Sequence, residues 1–355
     1  MKPIRLPPEP RVLVVALRRL GDVLLTTPLI RSVKQAFPAA SIEALVFAGT
    51  EGILAGNPDL AAVIAIPERQ GLRQSAPLLR RLWRGYDLAL STQTGDRPTF
   101  LAWLGGRQSA GPLDASRLSA SLKRLALSRS YTSDRSQHRI RDLLRLADLL
   151  GIVGRDELVC PQGPVRPGLL PTRPYAVVHA APKYIYKRWT ADGWRGLAAA
   201  LRQRGLATIA IGGPTDRAYL DEVWREGDVT RLDGALSWPE LAALIGSALV
   251  YVGPDTAVTH LAAATGTPTV ALYGPTDPRI WGPWPVGGLD PPWQAAGRIQ
   301  RRGNVWLVQN PLPCLPCQLE GCERRLDSHS QCLDELAVDQ VATAVDQALA
   351  VRRAA

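Results

Sequence analysis

A chain of 355 residues is too long for one ordinary hydrophobic core, so its length predicts two domains. Its composition, 46% hydrophobic and 21% charged, excludes a disordered chain, and five cysteines exclude a small disulfide scaffold. The net charge of +10 favours anionic partners (nucleic acid, phosphorylated sugars or an acidic membrane face), although a preference for Arg over Lys at the genome level explains part of the excess.

Met1–Arg11 is Pro-rich, and the apolar run after it, Val12–Leu17, is too short for the core of a secretory signal, so a cytoplasmic protein is expected. Arg11–Leu17 (RVLVVAL) predicts a buried parallel strand. Arg18–Asp22 is a turn, and Leu24–Ala36 has helical spacing, with Pro28 near its start. Ser41–Ala48, Leu60–Ile66 and Asp87–Ser91 predict further strands, with a helix over Leu78–Arg84. This βαβ alternation implies a parallel sheet covered by helices. Residues 67–145 hold fifteen Lys/Arg against six Asp/Glu. Ile140–Leu150 predicts an amphipathic helix, and Cys160–Pro174 carries five prolines, the mark of a linker.

The pattern then restarts. Tyr175–His179 and Ala207–Ile211 are strands around a helix, Thr190–Arg204, capped by its first residue. Helices over Arg217–Glu226 and Trp238–Ile245 flank a short strand near Val229. Ala248–Val252 leads into YVGPDTAVTHLAAATGTPTVALYGPTDP (251–278), which reads as strand, acidic turn, short helix, strand and a second turn. Gly266, Pro268 and Pro275 break its least charged stretch, so it does not read as a membrane span. Ala337–Arg352 is a closing helix. The expected fold is α/β, with two Rossmann-like doubly wound domains facing a cleft: an N-terminal domain over 1–165, a C-terminal domain over 173–335, and a helix over 336–355 that packs back on the first domain.

Four clusters carry chemistry. Asp22 follows a glycine turn at the end of the first strand, where open α/β sheets bind ligands; it suits a general base or a helix cap. Lys187 and Arg188 follow a strand end, where lysine can reach a phosphate or remain a solvated surface charge. Asp255, Thr256 and His260 sit at a helix start that favours anions and sugar hydroxyls; a hydrogen-bonded structural histidine is the plainer alternative. Cys314, Cys317, Cys322 and Cys332 have spacing suited to a tetrahedral zinc or iron site, or form a loop of ordinary thiols. Neither a GxGxxG dinucleotide fingerprint, a GxxxxGK[ST] loop nor an aromatic-basic RNA motif is present, which argues against a dehydrogenase, a P-loop protein or a nucleic-acid partner.

The blocks LGDVLLTTPLIRSV (20–33), YKRW (186–189), AIGGPTD (210–216) and GPDTAVTHLAAATGTPTVALYGPTDP (253–278) resemble the family 9 glycosyltransferases, the ADP-heptose-dependent heptosyltransferases of lipopolysaccharide core synthesis. ALRRLGD is similar to the branch that adds the third heptose, with Ala16 where that branch tends to carry Lys. The resemblance implies a GT-B fold, an inverting mechanism and no essential divalent metal. It implies Asp22 as general base and Lys187 as the catalytic cation on the diphosphate. Gly213, Asp216, Asp255, Thr256, Ala257 and His260 would hold the ADP-heptose donor. Arg18, Arg19 and Thr26 would meet an anionic lipid-linked saccharide acceptor. Some members modify proteins and carry a four-cysteine metal finger, so a protein or small-molecule acceptor is the alternative. Ser116–Ser130, with Leu118, Leu122, Leu125, Lys123 and Arg124, would face the inner membrane or pack as an ordinary core helix.

Overall fold

The computed structural model describes residues 4–69, 71–116, 119–225 and 229–354. The chain divides into two compact units, Met1–Pro161 and Gln162–Ala355, and the division falls inside the expected Pro-rich linker.

The first unit runs β1 (Arg11–Ala16), α1 (Leu20–Leu24), α2 (Thr27–Ala36), β2 (Ser41–Phe47), β3 (Ala62–Ile66), α3 (Leu72–Leu82), β4 (Tyr86–Ser91), α4 (Asp96–Gly105), β5 (Gly106–Leu113), α5 (Ala120–Ala126), β6 (Arg129–Thr132) and α6 (Arg139–Leu150). Its strands form one parallel sheet in the order β3-β2-β1-β4-β5-β6. Alternation along β1 sends Val12 and Val14 into one core with Leu29, Val33 and Leu146, and Leu13 and Val15 into the other with Leu82 and Leu101. Both faces are therefore covered, which is why β1 reads as an unbroken apolar run.

The single helix expected over Leu24–Ala36 is two helices. Pro28 has no N–H to offer the Leu24 carbonyl, and the Thr27 hydroxyl takes that carbonyl instead at 2.8 Å. The spacing also missed α4 and β5. The β5 sequence, GRQSAGPL, is poor in β-branched and aromatic residues, and its pairing with β4 and β6 makes it a strand. Helix α3 starts at Leu72, ahead of the expected Leu78, and contains Pro77.

The second unit runs β7 (Tyr175–His179), α7 (Ala191–Gln203), β8 (Ala207–Gly212), α8 (Arg217–Val223), β9 (Val229–Asp233), α9 (Trp238–Gly246), β10 (Val250–Pro254), α10 (Ala257–Ala264), β11 (Thr269–Leu272), α11 (Pro278–Trp281), β12 (Ile299–Arg302), β13 (Val305–Val308), α12 (Gln331–Asp334) and α13 (Val338–Ala354). The order is β12-β13-β11-β10-β7-β8-β9, parallel except for the β12–β13 hairpin, which the sequence reading missed. Thr190 caps α7 as expected, its hydroxyl accepting from the Gly193 N–H at 3.0 Å. Helix α8 ends at Val223, and Glu226, expected within it, lies outside the described residues. Two doubly wound α/β units of this kind make the GT-B fold class.

The closing helix corrects an expectation. Val341, Ala344, Val345, Ala348 and Leu349 of α13 are buried in the core of the second unit with Trp194, Leu272 and Val308. Arg204 beyond α7 holds Asp346 through two hydrogen bonds of 2.6 and 2.7 Å. The apolar side of α13 thus completes its own sheet's cover, where a return to the first domain was expected. Leu349→Ala should lower the stability of the second unit by about 2–5 kcal/mol. Denaturant unfolding should show this as an earlier transition for that unit alone; an unshifted midpoint would refute this packing.

Candidate active site

In each unit the strand order reverses next to the first strand, and ligands of such sheets bind outside the carboxyl ends at that reversal. In the second unit the reversal lies between β7 and β10. Lys187 ends a short 3-10 turn, Ile185–Lys187, in the loop after β7, and Asp255 follows β10. The topology brings them together: the Lys187 ammonium donates to Asp255 Oδ2. Asp255 is buried, and the Tyr273 hydroxyl lies 3.3 Å from its other oxygen while donating to the Trp281 carbonyl at 2.7 Å. Burial pushes the Asp255 carboxyl up, but the charges of Lys187 and His260, with hydrogen bonds from Lys187 and Thr276, outweigh it and hold the group below the usual range. The Tyr273 hydroxyl is pushed well above its ordinary value by burial and by the Asp255 charge. Removing one partner of such a pair leaves an uncompensated charge, a cost of about 3–5 kcal/mol.

Thr256 is extended and precedes α10 without capping it, so the N–H groups of Ala257 and Val258 have no intrahelical acceptor. They and the helix dipole favour an anion beside Lys187. The end of β10 is held by Thr259, whose hydroxyl bonds the Pro254 carbonyl at 2.5 Å and the Tyr251 hydroxyl at 3.0 Å. Position 253 must be glycine for this, because a Cβ there would lie 2.2 Å from the Tyr251 oxygen. Gly213 and Asp216 sit beyond β8. Asp216 accepts from the Gly213 N–H at 2.8 Å, so one of its oxygens closes the turn that was expected to meet a ribose.

The cysteine-bearing loop braces the loop that carries Lys187 and the turn after β11. The Gln318 N–H donates to the Pro275 carbonyl at 2.8 Å, and the Ser330 hydroxyl to the Tyr186 carbonyl at 2.7 Å, next to Lys187. Leu333 and Cys332 pack on Gly274, where a Cβ would meet them at 2.8 and 3.3 Å. Burial first, and then the charges of Cys317, Cys322 and Cys314, push the Cys332 thiol up to about 12. Among the described residues no three His, Cys, Asp or Glu side chains are placed to hold a metal ion. The four cysteines share this one loop, near enough for the charges of three to act on the fourth. Cys332 is drawn into the core beside Leu333, while Cys314 and Cys322 stay exposed.

In the first unit the reversal lies between β1 and β4, and each strand is followed by a Gly-Asp pair. Asp22 is half-buried in the first turn of α1 and is not its N-cap. It makes no side-chain hydrogen bond or ion pair among the described residues. Asp96 at the start of α4 is the contrasting case, held by Lys123 at 2.6 Å and Ser119 at 3.2 Å. Of the two carboxylates, Asp22 is the one without such partners among the described residues. Arg18 and Arg19 are exposed beside it. Thr26 was expected to meet the acceptor, but it is buried and its hydroxyl donates to the Val23 carbonyl at 2.6 Å. Lys123 was expected on an outward face, but it is buried on Asp96 and on the Thr94 carbonyl at 2.5 Å. Leu118 lies outside the described residues. The sequence reading missed Tyr273, Thr276 and Ser330, and gave Thr259 no role of its own. A signal existed for the first two, because they sit in the strand end and turn of ALYGPT.

The family model described as glycosyltransferase family 9 (heptosyltransferase) matches residues 76–287, more than half of the chain. Lipopolysaccharide heptosyltransferase 3 of Escherichia coli strain K12 is 29% identical over 76% of this chain and 83% of its own length. Among solved structures, E. coli ADP-heptose lps heptosyltransferase II superposes with a TM-score of 0.74 at 18% identity, covering 97% of this chain and 99% of that one. E. coli heptosyltransferase WaaC with ADP gives 0.72 at 22% identity, over 95% and 99%. These likenesses confirm the fold.

A carboxyl held low in the folded state stabilises it above the unfolded pKa, about 4, and loses that contribution as pH falls through the lower folded value. Wild-type stability should therefore fall toward that of Asp255→Asn as the pH drops below about 4. Denaturant titrations across that range check this; a stability difference independent of pH would mean that Asp255 is not held as a carboxylate.

Proposed function

Because the chain belongs to glycosyltransferase family 9, a family of transferase enzymes, we propose that it moves a heptose from ADP-heptose to a hydroxyl of the lipopolysaccharide inner core. The observation that carries this reading is the meeting of Lys187, Asp255 and the head of α10 at the strand-order reversal of the second unit. One structural neighbour is an ADP-heptose heptosyltransferase and another was solved with ADP, and both support the donor. The relative of lipopolysaccharide heptosyltransferase type 3 supports the branch that adds the third heptose.

In this mechanism the Asp22 carboxylate accepts the proton of the acceptor hydroxyl. The acceptor oxygen forms a bond to the anomeric carbon on the face opposite the diphosphate, and the bond from that carbon to the diphosphate oxygen breaks with its electron pair on ADP. Configuration inverts. Charge grows on the departing diphosphate, where the Lys187 ammonium and the N–H groups of Ala257 and Val258 stabilise it. The resemblance implies that these groups act without an essential divalent metal. Asp255 holds Lys187 in place and Gly213, Asp216 and His260 line the donor side of the same sheet edge.

The acceptor reading rests on charge. The basic stretch 67–145 suits a phosphorylated, lipid-linked saccharide. Helix α5 presents Leu122 and Leu125 at 71% and 85% exposure, with Arg124 exposed between them, which suits shallow contact with an anionic membrane surface. Among the described residues no helix is long and apolar enough to cross a membrane.

Asp22→Asn should lower kcat by about 10²–10⁴-fold while leaving ADP affinity unchanged, read by transfer assay and calorimetry. Turnover within a few-fold of wild type would remove Asp22 as the base. Leu122→Ser with Leu125→Ser should weaken sedimentation with anionic phosphatidylglycerol vesicles and leave neutral vesicles unaffected. Equal binding by wild type and double variant would rule out this face.

A further inference from the structure

Lys187 cannot by itself supply the positive charge that a departing diphosphate needs. Its ammonium is already matched by the buried Asp255 carboxylate, so the pair contributes little net charge. The next residue is also a cation, and its surroundings differ. The guanidinium of Arg188 makes no hydrogen bond or ion pair among the described residues, and its Nε is buried without a partner. Several other arginines of this unit have carboxylates, among them Arg166 with Glu240 at 2.6 Å, Arg204 with Asp346 at 2.6 Å, and Arg279 with Asp277 at 2.7 Å, while Arg301 and Arg302 bond only carbonyls.

Arg188 is nevertheless held in place. Its guanidinium carbon sits 3.8 Å from the centre of the Tyr219 ring. Its own N–H is bonded to the Ile185 carbonyl at 2.8 Å. Tyr219 lies in α8, one turn after Asp216, so the stack joins the loop after β7 to the element after β8. These are the two neighbouring loops that carry Lys187 and the Gly213–Asp216 turn. A half-buried guanidinium keeps its charge, and leaving its donors unmatched is costly unless something outside the chain supplies acceptors. Stacking on tyrosine leaves the planar N–H fork available, and that fork matches phosphate oxygens.

We propose that Arg188 is a second phosphate-binding residue for the nucleotide donor, supplying the net positive charge that Lys187, neutralised by Asp255, does not. The inference rests on the donor reading above. The ring of Tyr219 acts as the seat that sets the direction of the fork.

Calorimetry with ADP and with adenosine on the full chain tests it. Wild type must first bind ADP; if it does not, the donor reading fails, and this inference with it. Given that binding, Arg188→Met, which keeps the packing against Tyr219 and removes the charge, should weaken ADP by about 10–100-fold and leave adenosine within about twofold. Arg188→Lys should recover part of the ADP affinity, because it restores charge without the fork. Should Arg188→Met fail to fold, Arg188→Gln takes its place with the same expectation. ADP affinity within about twofold of wild type in the charge-free variant would overturn the proposal, as would an equal loss for ADP and adenosine, and either result would leave Arg188 as a clamp on Tyr219.

Discussion

The buried ion pair between Lys187 and Asp255 is the interaction on which the C-terminal site depends. Two residues 68 positions apart are joined across the reversal between β7 and β10. The buried Asp255 carboxylate is not tolerable there alone. Together the two residues fix the loop after β7 against the head of α10, and so place an ammonium next to unmatched backbone donors. Every other contact around the pair supports that geometry: Tyr273 and Thr276 attend the carboxylate, and Thr259 holds the strand end beneath it.

The cysteine loop belongs to this support. Its backbone and Ser330 grip the Pro275 and Tyr186 carbonyls, so it ties down both segments that deliver the ion pair. The same bracing goes with the packing of Cys332 and Leu333 against Gly274. The loop was conspicuous in sequence for its thiols. What it contributes in the folded chain are mainly hydrogen bonds and apolar contacts.

The two units use the same construction with different chemistry. In each, the end of the first strand meets the end of the fourth, and an acidic residue follows a strand at that point. Asp255 is buried and matched by a cation, whereas Asp22 is half-buried and has no such partner among the described residues. In the proposed mechanism the matched carboxylate orients its partner and the unmatched one takes the proton. In that proposal, environment rather than residue type separates a positioning role from a basic one.

Most of the architecture was legible in the residues. Val-rich runs such as RVLVVA and YAVVH could only be strands covered on both faces, and the prolines of 160–174 marked the division between units. Asp22 and Asp255 stood out because glycine turns after strands mark ligand edges, and Lys187 because it follows a strand end. Tertiary structure decided the rest. It made GRQSAGPL a strand through its neighbours, split the helix before Pro28, and turned the hydroxyl of Thr26 inward. It buried Lys123 on Asp96 and drew Cys332 into the core while Cys314 and Cys322 stayed exposed. The physical reason is the range of the forces. Periodicity and turn chemistry act within a few residues and are written locally. Which charge is matched, and which hydroxyl is already bonded, depends on partners far along the chain that meet only when the sheets close.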